Sequence, residues 1–414
     1  MPVATRRSLV PAVTCPHCWA EFPPALVRFI AEHEALRGDP SLGPSEPLRF
    51  LPSRFDARGR AIDPLDAVCS RMACPRCHLE LPPQSLELAQ TIVSIVGAPA
   101  CGKSVMLAAA SFSLRSGLVV PGLDFLDADP TLNDLTVELE SSLFRSTTPD
   151  APTMIAKTDV SGRLYRSFRA EDAVWTAPKP QLFTLARGGR RRLLCLYDNA
   201  GEHFLPGRES ATEPVTRHLA ASGALVFVVD PTQDQRVVDR LGGREAVSAI
   251  GGGGSVEQRQ DLVLIEAANR VRRLRAMSAA EPLPFRIVLA VAKADLWGHL
   301  AVPAIDPESA RSGATSIAVP DQASLDRLQR ATSGFLASMM PELLATVRAL
   351  DPGFRVVPFS GLGRAPERSS AGSRLAIRPR DVRPMWPAAP LVVALAEADR
   401  AMFSEFLPEA ATTA

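Results

Sequence analysis

Residues 91–110 read TIVSIVGAPACGKSVMLAAA. A β-branched run enters Gly97, and after four residues Gly102-Lys103-Ser104 opens an alanine-rich segment, so the stretch predicts a strand, a glycine-pinned turn and a helix. Such a turn points successive backbone amides inward at a helix start, where the N–H groups and the helix dipole both favour an anion. In a loop of this spacing the lysine reaches β and γ phosphate oxygens and the serine ligates Mg²⁺. Gly97, Ala98, Pro99, Ala100, Cys101, Gly102, Lys103, Ser104 and Val105 are therefore the expected phosphate-binding residues. The bland alternative is a glycine-rich turn with a solvated lysine. Cys101 reads as filler within the loop.

Outward from this stretch, short β-branched runs alternate with helical segments, the pattern of a parallel sheet covered by helices on both faces. Strands are expected at about 92–96, 180–186, 192–197, 224–229, 286–291 and 354–359, with helices near 257–279 and 389–405. QLFTLAR and RRLLCLYD, joined through Gly188-Gly189, read as a hairpin that places one antiparallel edge strand on the sheet. A glycine-rich loop at about 250–256 and an insertion at 300–322 interrupt the pattern. The expected fold is an α/β three-layer sandwich over residues 91–414, preceded by a cysteine module over residues 1–90.

Two further motifs sit at strand ends. LLCLYDNAGEHF, 193–204, ends a strand in Asp198, suited to holding Mg²⁺ through water opposite the phosphate loop. Gly201, three residues on, offers its amide to a γ-phosphate. Taken alone, Asp-x-x-Gly is a common turn. VLAVAKADLW, 288–297, sets Lys293 and Asp295 beyond an apolar strand, in a chain whose only lysines are Lys103, Lys157, Lys179 and Lys293. At the carboxyl end of the sheet a nucleotide base would lie there. The Lys293 stem covers the ring, and the Asp295 carboxylate accepts from the two ring-edge donors of guanine, a pair adenine lacks. FRVVPFSGLG then supplies Ser360 and Gly361, whose amides can touch the base oxygen.

With GAPACGKS, DNAG, AKAD and SGL in this order, residues 91–361 resemble a Ras-like P-loop GTPase of the translation-factor-related (TRAFAC) class. The resemblance implies a GTP-binding and hydrolysing switch using Mg²⁺. It gives Lys103 and Gly201 catalytic roles and makes Asp198 the Mg²⁺ partner of Ser104. It departs from the class at Ala292, where Asn or Thr supplies a tether that alanine cannot make, and at Glu202, where Gln or His positions the attacking water. Glu202, accepting only, or His203 beside it, would take that role. The switch threonine of the class corresponds to Thr158 or Thr176. At finer grain the chain resembles the bacterial double-GTPase family, whose members are encoded beside a second GTPase in conflict or defence operons. That resemblance implies a protein partner, either a second GTPase or an effector.

CPHC at 15–18 and CPRC at 74–77 have the spacing of paired zinc knuckles, and the echo WAEFPP and HLELPP suggests two arms of one ribbon around a long insertion. Cys15, Cys18, Cys74 and Cys77 are the expected Zn²⁺ ligands; His17, His78 and Cys69 could substitute, but each is read as a bystander. Four thiolates close the shell, so this zinc would be structural. Free thiols or a redox pair are the alternatives.

A chain of 414 residues that is 46% hydrophobic can bury a large core, and a net charge of +1 implies no whole-molecule attraction to nucleic acid or membrane. RGGRRR at 187–192 and RVRRLR at 270–275 read as solvated arginines, and without aromatic platforms between them a nucleic-acid role is not expected. No segment approaches roughly 18 uninterrupted apolar residues, and nothing resembles a signal peptide, so a cytoplasmic protein is expected. Two other readings compete with the GTPase: a non-hydrolysing nucleotide-gated scaffold, for which Glu202 marks lost catalysis, and an ATPase, opened by Ala292.

Overall fold

The structure is a computed structural model that describes residues 9–154, 165–170, 173–199, 201–204, 216–249, 259–306, 318–368 and 375–407. Its centre is a seven-stranded sheet. In chain order it is built from β1 (Gln90–Gly97), α1 (Lys103–Arg115), β2 (Asp124–Asp127), α2 (Asp134–Phe144), β3 (Gln181–Arg187), β4 (Arg190–Asp198), β5 (Ala224–Val229), α3 (Gln260–Leu274) and β6 (Arg286–Val291). These are followed by α4 (Gln322–Met339), α5 (Pro341–Leu350), β7 (Arg355–Pro358) and α6 (Ala389–Ala398). The strand order is β2-β3-β4-β1-β5-β6-β7. Strands β4, β1, β5, β6 and β7 are mutually parallel, and their buried apolar runs are those of a sheet covered on both faces.

The β3–β4 hairpin turns through Gly188 and Gly189, both with positive φ, as a two-residue hairpin loop requires. One expectation needs correction. The antiparallel strand β3 is not at the edge, because β2 pairs antiparallel to it and takes the edge position. The DFLD segment is too short to show a period. Polar side chains hold it: Arg115 of α1 donates to Asp127 at 2.6 Å and also pairs with Glu140, while Asn133 bonds Asp127 and the Leu182 backbone. The helix expected over 389–405 is broken, with Ala389–Ala398 followed by a separate turn at Arg400–Phe403. That over 257–279 runs from Gln260 to Leu274.

One face of the sheet, carrying Ile92, Leu182, Leu193, Cys195 and Tyr197, is covered by Trp19 of the cysteine module. The module's own apolar cluster around the four cysteines is completed by Phe168, Ala170 and Ala177 from the hairpin Tyr165–Ala170/Ala173–Pro178. Residues before and after Gln90 therefore share a core. The arginine clusters are largely engaged within the fold. Arg187 bonds the Pro121 and Met402 carbonyls, Arg192 meets Asp399 at 2.7 Å, and Arg270 and Arg273 share Glu266. No helix among the described residues is long and apolar enough to cross a membrane.

Candidate functional site

The loop between β1 and α1 is wound as its spacing predicts. Gly102 has φ +98° and Ala100, at φ +59°, takes the left-handed conformation without being glycine. Gly97 is required by close approach: a Cβ there would lie 2.3 Å from the Val228 carbonyl oxygen at the end of β5. Lys103 is 7% exposed, and its ammonium donates to the carbonyls of Gly97 and Ala98 at 2.9 Å each. The Cys101 thiol is buried 3.7 Å from that nitrogen, and burial pushes its pKa up, which suits filler rather than a nucleophile.

Strand β4 brings Asp198 to the same end. Ser104 Oγ donates to Asp198 Oδ2 at 2.8 Å. Burial pushes the Asp198 carboxyl above the ordinary range, against the pull of Lys103 and the Ser104 bond. Its Oδ1 is buried without a hydrogen-bond partner among the described residues. A carboxylate oxygen left bare beside a serine hydroxyl is a donor set that fits a hard divalent cation. Gly201 sits directly on the phosphate loop, where a Cβ would meet Pro99 N at 2.5 Å and Gly97 O at 2.6 Å. The backbone of Glu202 and His203 continues from it as a short 3₁₀ turn, Gly201–Phe204, but their side chains, like Thr158, lie outside what the structure describes. Thr176 is held in the hairpin on the cysteine module, its hydroxyl 3.2 Å from that of Ser167.

The AKAD motif follows β6. Ala292 is 2% exposed, and its carbonyl accepts from Trp297 Nε1 at 2.7 Å. Lys293 takes the left-handed conformation at φ 57°, and Asp295 lies in the first turn of the short helix Ala294–Trp297. Ala294 N donates to Phe359 O at 3.0 Å, which joins this loop to Ser360 and Gly361 after β7. Ser360 Oγ accepts from Gly363 N at 2.8 Å, and a Cβ on Gly361 would meet Val105 Cγ1 at 2.8 Å. The phosphate loop, DNAG, AKAD and SGL segments thus meet at one end of the parallel strands.

Four polar residues here were not anticipated. Asp230, at the end of β5, is fully buried, and its Oδ2 lies 2.6 Å from Lys293 Nζ. Asp230 Oδ1 accepts from Thr232 N and Thr232 Oγ1 at 2.9 and 2.7 Å. Gln233 Nε2 donates to Pro99 O at 3.0 Å, and Gln260 of α3 bonds both the N–H and the carbonyl of Asp230 at 2.9 Å. The only sequence signal was an Asp ending an apolar strand before Pro-Thr, a capping pattern with no ligand chemistry of its own.

The second centre is the cysteine cluster. The ligand atoms of Cys15, Cys18, Cys74 and Cys77 all lie within 4.8 Å of one another, with Sγ–Sγ separations of 3.7 Å for Cys15–Cys77 and Cys18–Cys74. No disulfide has that spacing. A tetrahedron with Zn–S bonds of about 2.3 Å has an edge of roughly 3.75 Å, so the set fits zinc. The two knuckles repeat atom for atom: Trp19 N and His78 N donate to the Cys15 and Cys74 carbonyls, and both residues have positive φ. His17 N and Arg76 N approach the Cys15 and Cys74 sulfurs at 3.3 and 3.4 Å. The substitutes are otherwise engaged. His17 bonds the Glu80 carbonyl, His78 pairs with Asp39, and the Cys69 thiol turns to Asp63.

No protein-family model matches the chain, and no curated protein matches it. Among solved structures, the crystal structure of Era in complex with MgGDPNP and nucleotides 1506–1542 of 16S ribosomal RNA aligns with 67% of this chain and 53% of its own, at 13% identity and a TM-score of 0.26. The chain spans about half the length of that protein, and a likeness so loose decides neither fold nor function.

Proposed function

We propose that this protein is a Mg²⁺-dependent guanine-nucleotide switch, with residues 91–414 as the nucleotide-binding unit and residues 1–90 as a zinc-ribbon module. The observation that carries the reading is the convergence of Ser104 and Asp198, 2.8 Å apart, with Gly201 seated on the backbone of Gly97–Pro99. Those residues do little for one another that a plain core would not do better, because Asp198 is a buried carboxylate with one oxygen unsatisfied among the described residues.

In this proposal Lys103 exchanges its two carbonyl acceptors for phosphate oxygens. Ser104 and Asp198 hold Mg²⁺, which neutralises charge between the phosphates when bound. The Gly201 amide reads the γ-phosphate, and Glu202 or His203 orients the attacking water. Lys293, its head held by Asp230, lays its stem along the base while Asp295 accepts from guanine. Cys15, Cys18, Cys74 and Cys77 keep a structural zinc. The switch acts on a protein partner, a second GTPase or an effector, as part of a multi-protein system.

The ATP reading draws on Ala292. Competition of GTP, ATP and XTP on the wild type and on Asp295→Asn separates the two: guanine preference that moves to xanthine in the variant supports the carboxylate reader, and equal binding of ATP and GTP by the wild type ends it. Phosphate release from GTP, lost in Lys103→Ala, distinguishes a GTPase from a scaffold that binds without turnover.

A further inference from the structure

Base recognition and phosphate recognition contribute jointly only if the two loops are held at a fixed separation, since each then raises the effective concentration of the other. At position 292 an alanine offers no polar atom for that purpose. The join is made elsewhere. From β5 the segment Asp230–Gln233 reaches both loops: Gln233 Nε2 donates to Pro99 O of the phosphate loop at 3.0 Å, and Asp230 Oδ2 lies 2.6 Å from Lys293 of the base loop. The segment is itself rigid. Asp230 Oδ1 takes two bonds from Thr232, and the Gln260 side chain closes both backbone groups of Asp230. Asp230 and Thr232 are fully buried and Gln233 is 3% exposed, so the tether's own side chains are shielded from water, while Lys293, 25% exposed, keeps its stem at the surface of the site.

We infer that Asp230, Thr232 and Gln233, clamped by Gln260, form the tether that sets the distance between the phosphate loop and the base-reading loop, replacing the side chain that Ala292 lacks. They are positioning residues, and the inference rests on the guanine-nucleotide reading. Asp230 serves one loop by fixing the Lys293 ammonium, and Gln233 serves the other by fixing the Pro99 carbonyl. A purely structural ion pair between Asp230 and Lys293 would make no demand on Gln233, whose amide bonds the phosphate loop.

The test compares the wild-type full chain with Gln233→Ala, Gln233→Met, Asp230→Asn and the double variant Gln233→Ala/Ala292→Asn. Each is titrated with GTP, ATP and tripolyphosphate. Wild type binding GTP while tripolyphosphate competes weakly establishes the two-part site. Both Gln233 variants, one small and one of similar size, neutral and unable to donate, should then lose GTP affinity by about 5–10-fold, the worth of roughly one hydrogen bond. Their tripolyphosphate affinity should stay unchanged. Asp230→Asn should lower the GTP:ATP ratio, and Ala292→Asn should restore most of the affinity lost in Gln233→Ala. GTP affinity within twofold of wild type in both Gln233 variants, or a parallel loss of tripolyphosphate that marks a collapsed phosphate loop, overturns the tether while leaving the nucleotide reading intact. A wild type that binds no GTP overturns both.

Discussion

Trp19 Nε1 donates to Tyr197 Oη at 3.1 Å, and that hydroxyl in turn donates to the Pro16 carbonyl at 2.5 Å. Pro16 lies inside the first cysteine knuckle, and Tyr197 is the residue before Asp198. Successive strand side chains point to opposite faces. One strand therefore carries the seam with the cysteine module on one face and the candidate metal ligand on the other. Tyr197→Phe keeps the ring, its 5.7 Å approach to Trp19 and the packing, but leaves the Trp19 N–H and the Pro16 carbonyl without a partner. The expected cost is about 1–3 kcal/mol, read as a lowered Tm and faster proteolysis within residues 1–90. An unchanged melt would mean that the seam is held by apolar contact alone.

The same seam holds His218. Its ring stacks on Tyr197 at 4.7 Å, its Nδ1 lies 2.5 Å from Ser94 Oγ, and burial pulls its pKa from 6.5 down to about 3. The unfolded chain takes up a proton near pH 6.5 and the folded chain does not. The contribution is fully present above that pH and drains away as pH falls from 6.5 towards 3, at up to about 1.4 kcal/mol per pH unit. Wild type should lose Tm between pH 7 and 5 faster than His218→Gln. His17, lowered to about 4 by burial, loses stability in the same window in both proteins and cancels in the difference. Parallel Tm curves would place the histidine's charge outside the stability balance.

Six of the seven main strands were legible because buried parallel strands are unbroken apolar runs, and the positions of Gly97, Lys103, Asp198 and Lys293 at one end of the sheet were legible because each closes or follows such a run. Strand β2 was not. Its Phe125 is buried and its Leu126 is 62% exposed, but four residues show no period, and its position depends on Arg115 and Asn133. Asp230, Gln233 and Gln260 were illegible for a related reason. Each acts through a contact with a residue distant in sequence, and none belongs to a spacing pattern.

Asp198 carries a cost that the cation should remove. Its folded pKa is raised, so folding carries the full cost of a buried charge above that pKa, and the cost shrinks as pH falls through it and is gone below the ordinary carboxylate pKa. Asp198→Asn keeps an acceptor for Ser104 and removes the buried charge. Without nucleotide the variant should melt at or above wild type, by roughly 1–2 °C for about 1 kcal/mol in a chain of this size. The Mg²⁺-dependent Tm gain with GTP should vanish. A lower Tm with that gain intact would remove Asp198 from the metal site.

Zinc is tested by two serines. Cys74→Ser removes one of four converging thiolates and should abolish stoichiometric zinc, at a cost on the order of 10 kcal/mol to the module if it behaves as zinc-finger peptides do. Cys69→Ser should keep its zinc, because the Cys69 thiol is directed to Asp63 at 3.8 Å. Metal analysis of both proteins in reducing buffer decides the ligand set, and zinc absent from wild type removes the metal altogether.

Gly201 and Gly334 form a matched pair. A Cβ at 201 meets only backbone, Pro99 N at 2.5 Å and Gly97 O at 2.6 Å, so no flexible side chain can yield and the DNAG segment must move off the phosphate loop. A Cβ at 334, exposed in α4, meets nothing within 4 Å. Gly334→Ala should therefore raise stability by about 1 kcal/mol through helix propensity alone. Gly201→Ala should slow phosphate release from GTP by at least about tenfold, the equivalent of 1.4 kcal/mol in the barrier, while GDP binding changes less because GDP has no γ-phosphate to read. Equal losses for GTP and GDP would show that Gly201 shapes the loop without sensing the third phosphate.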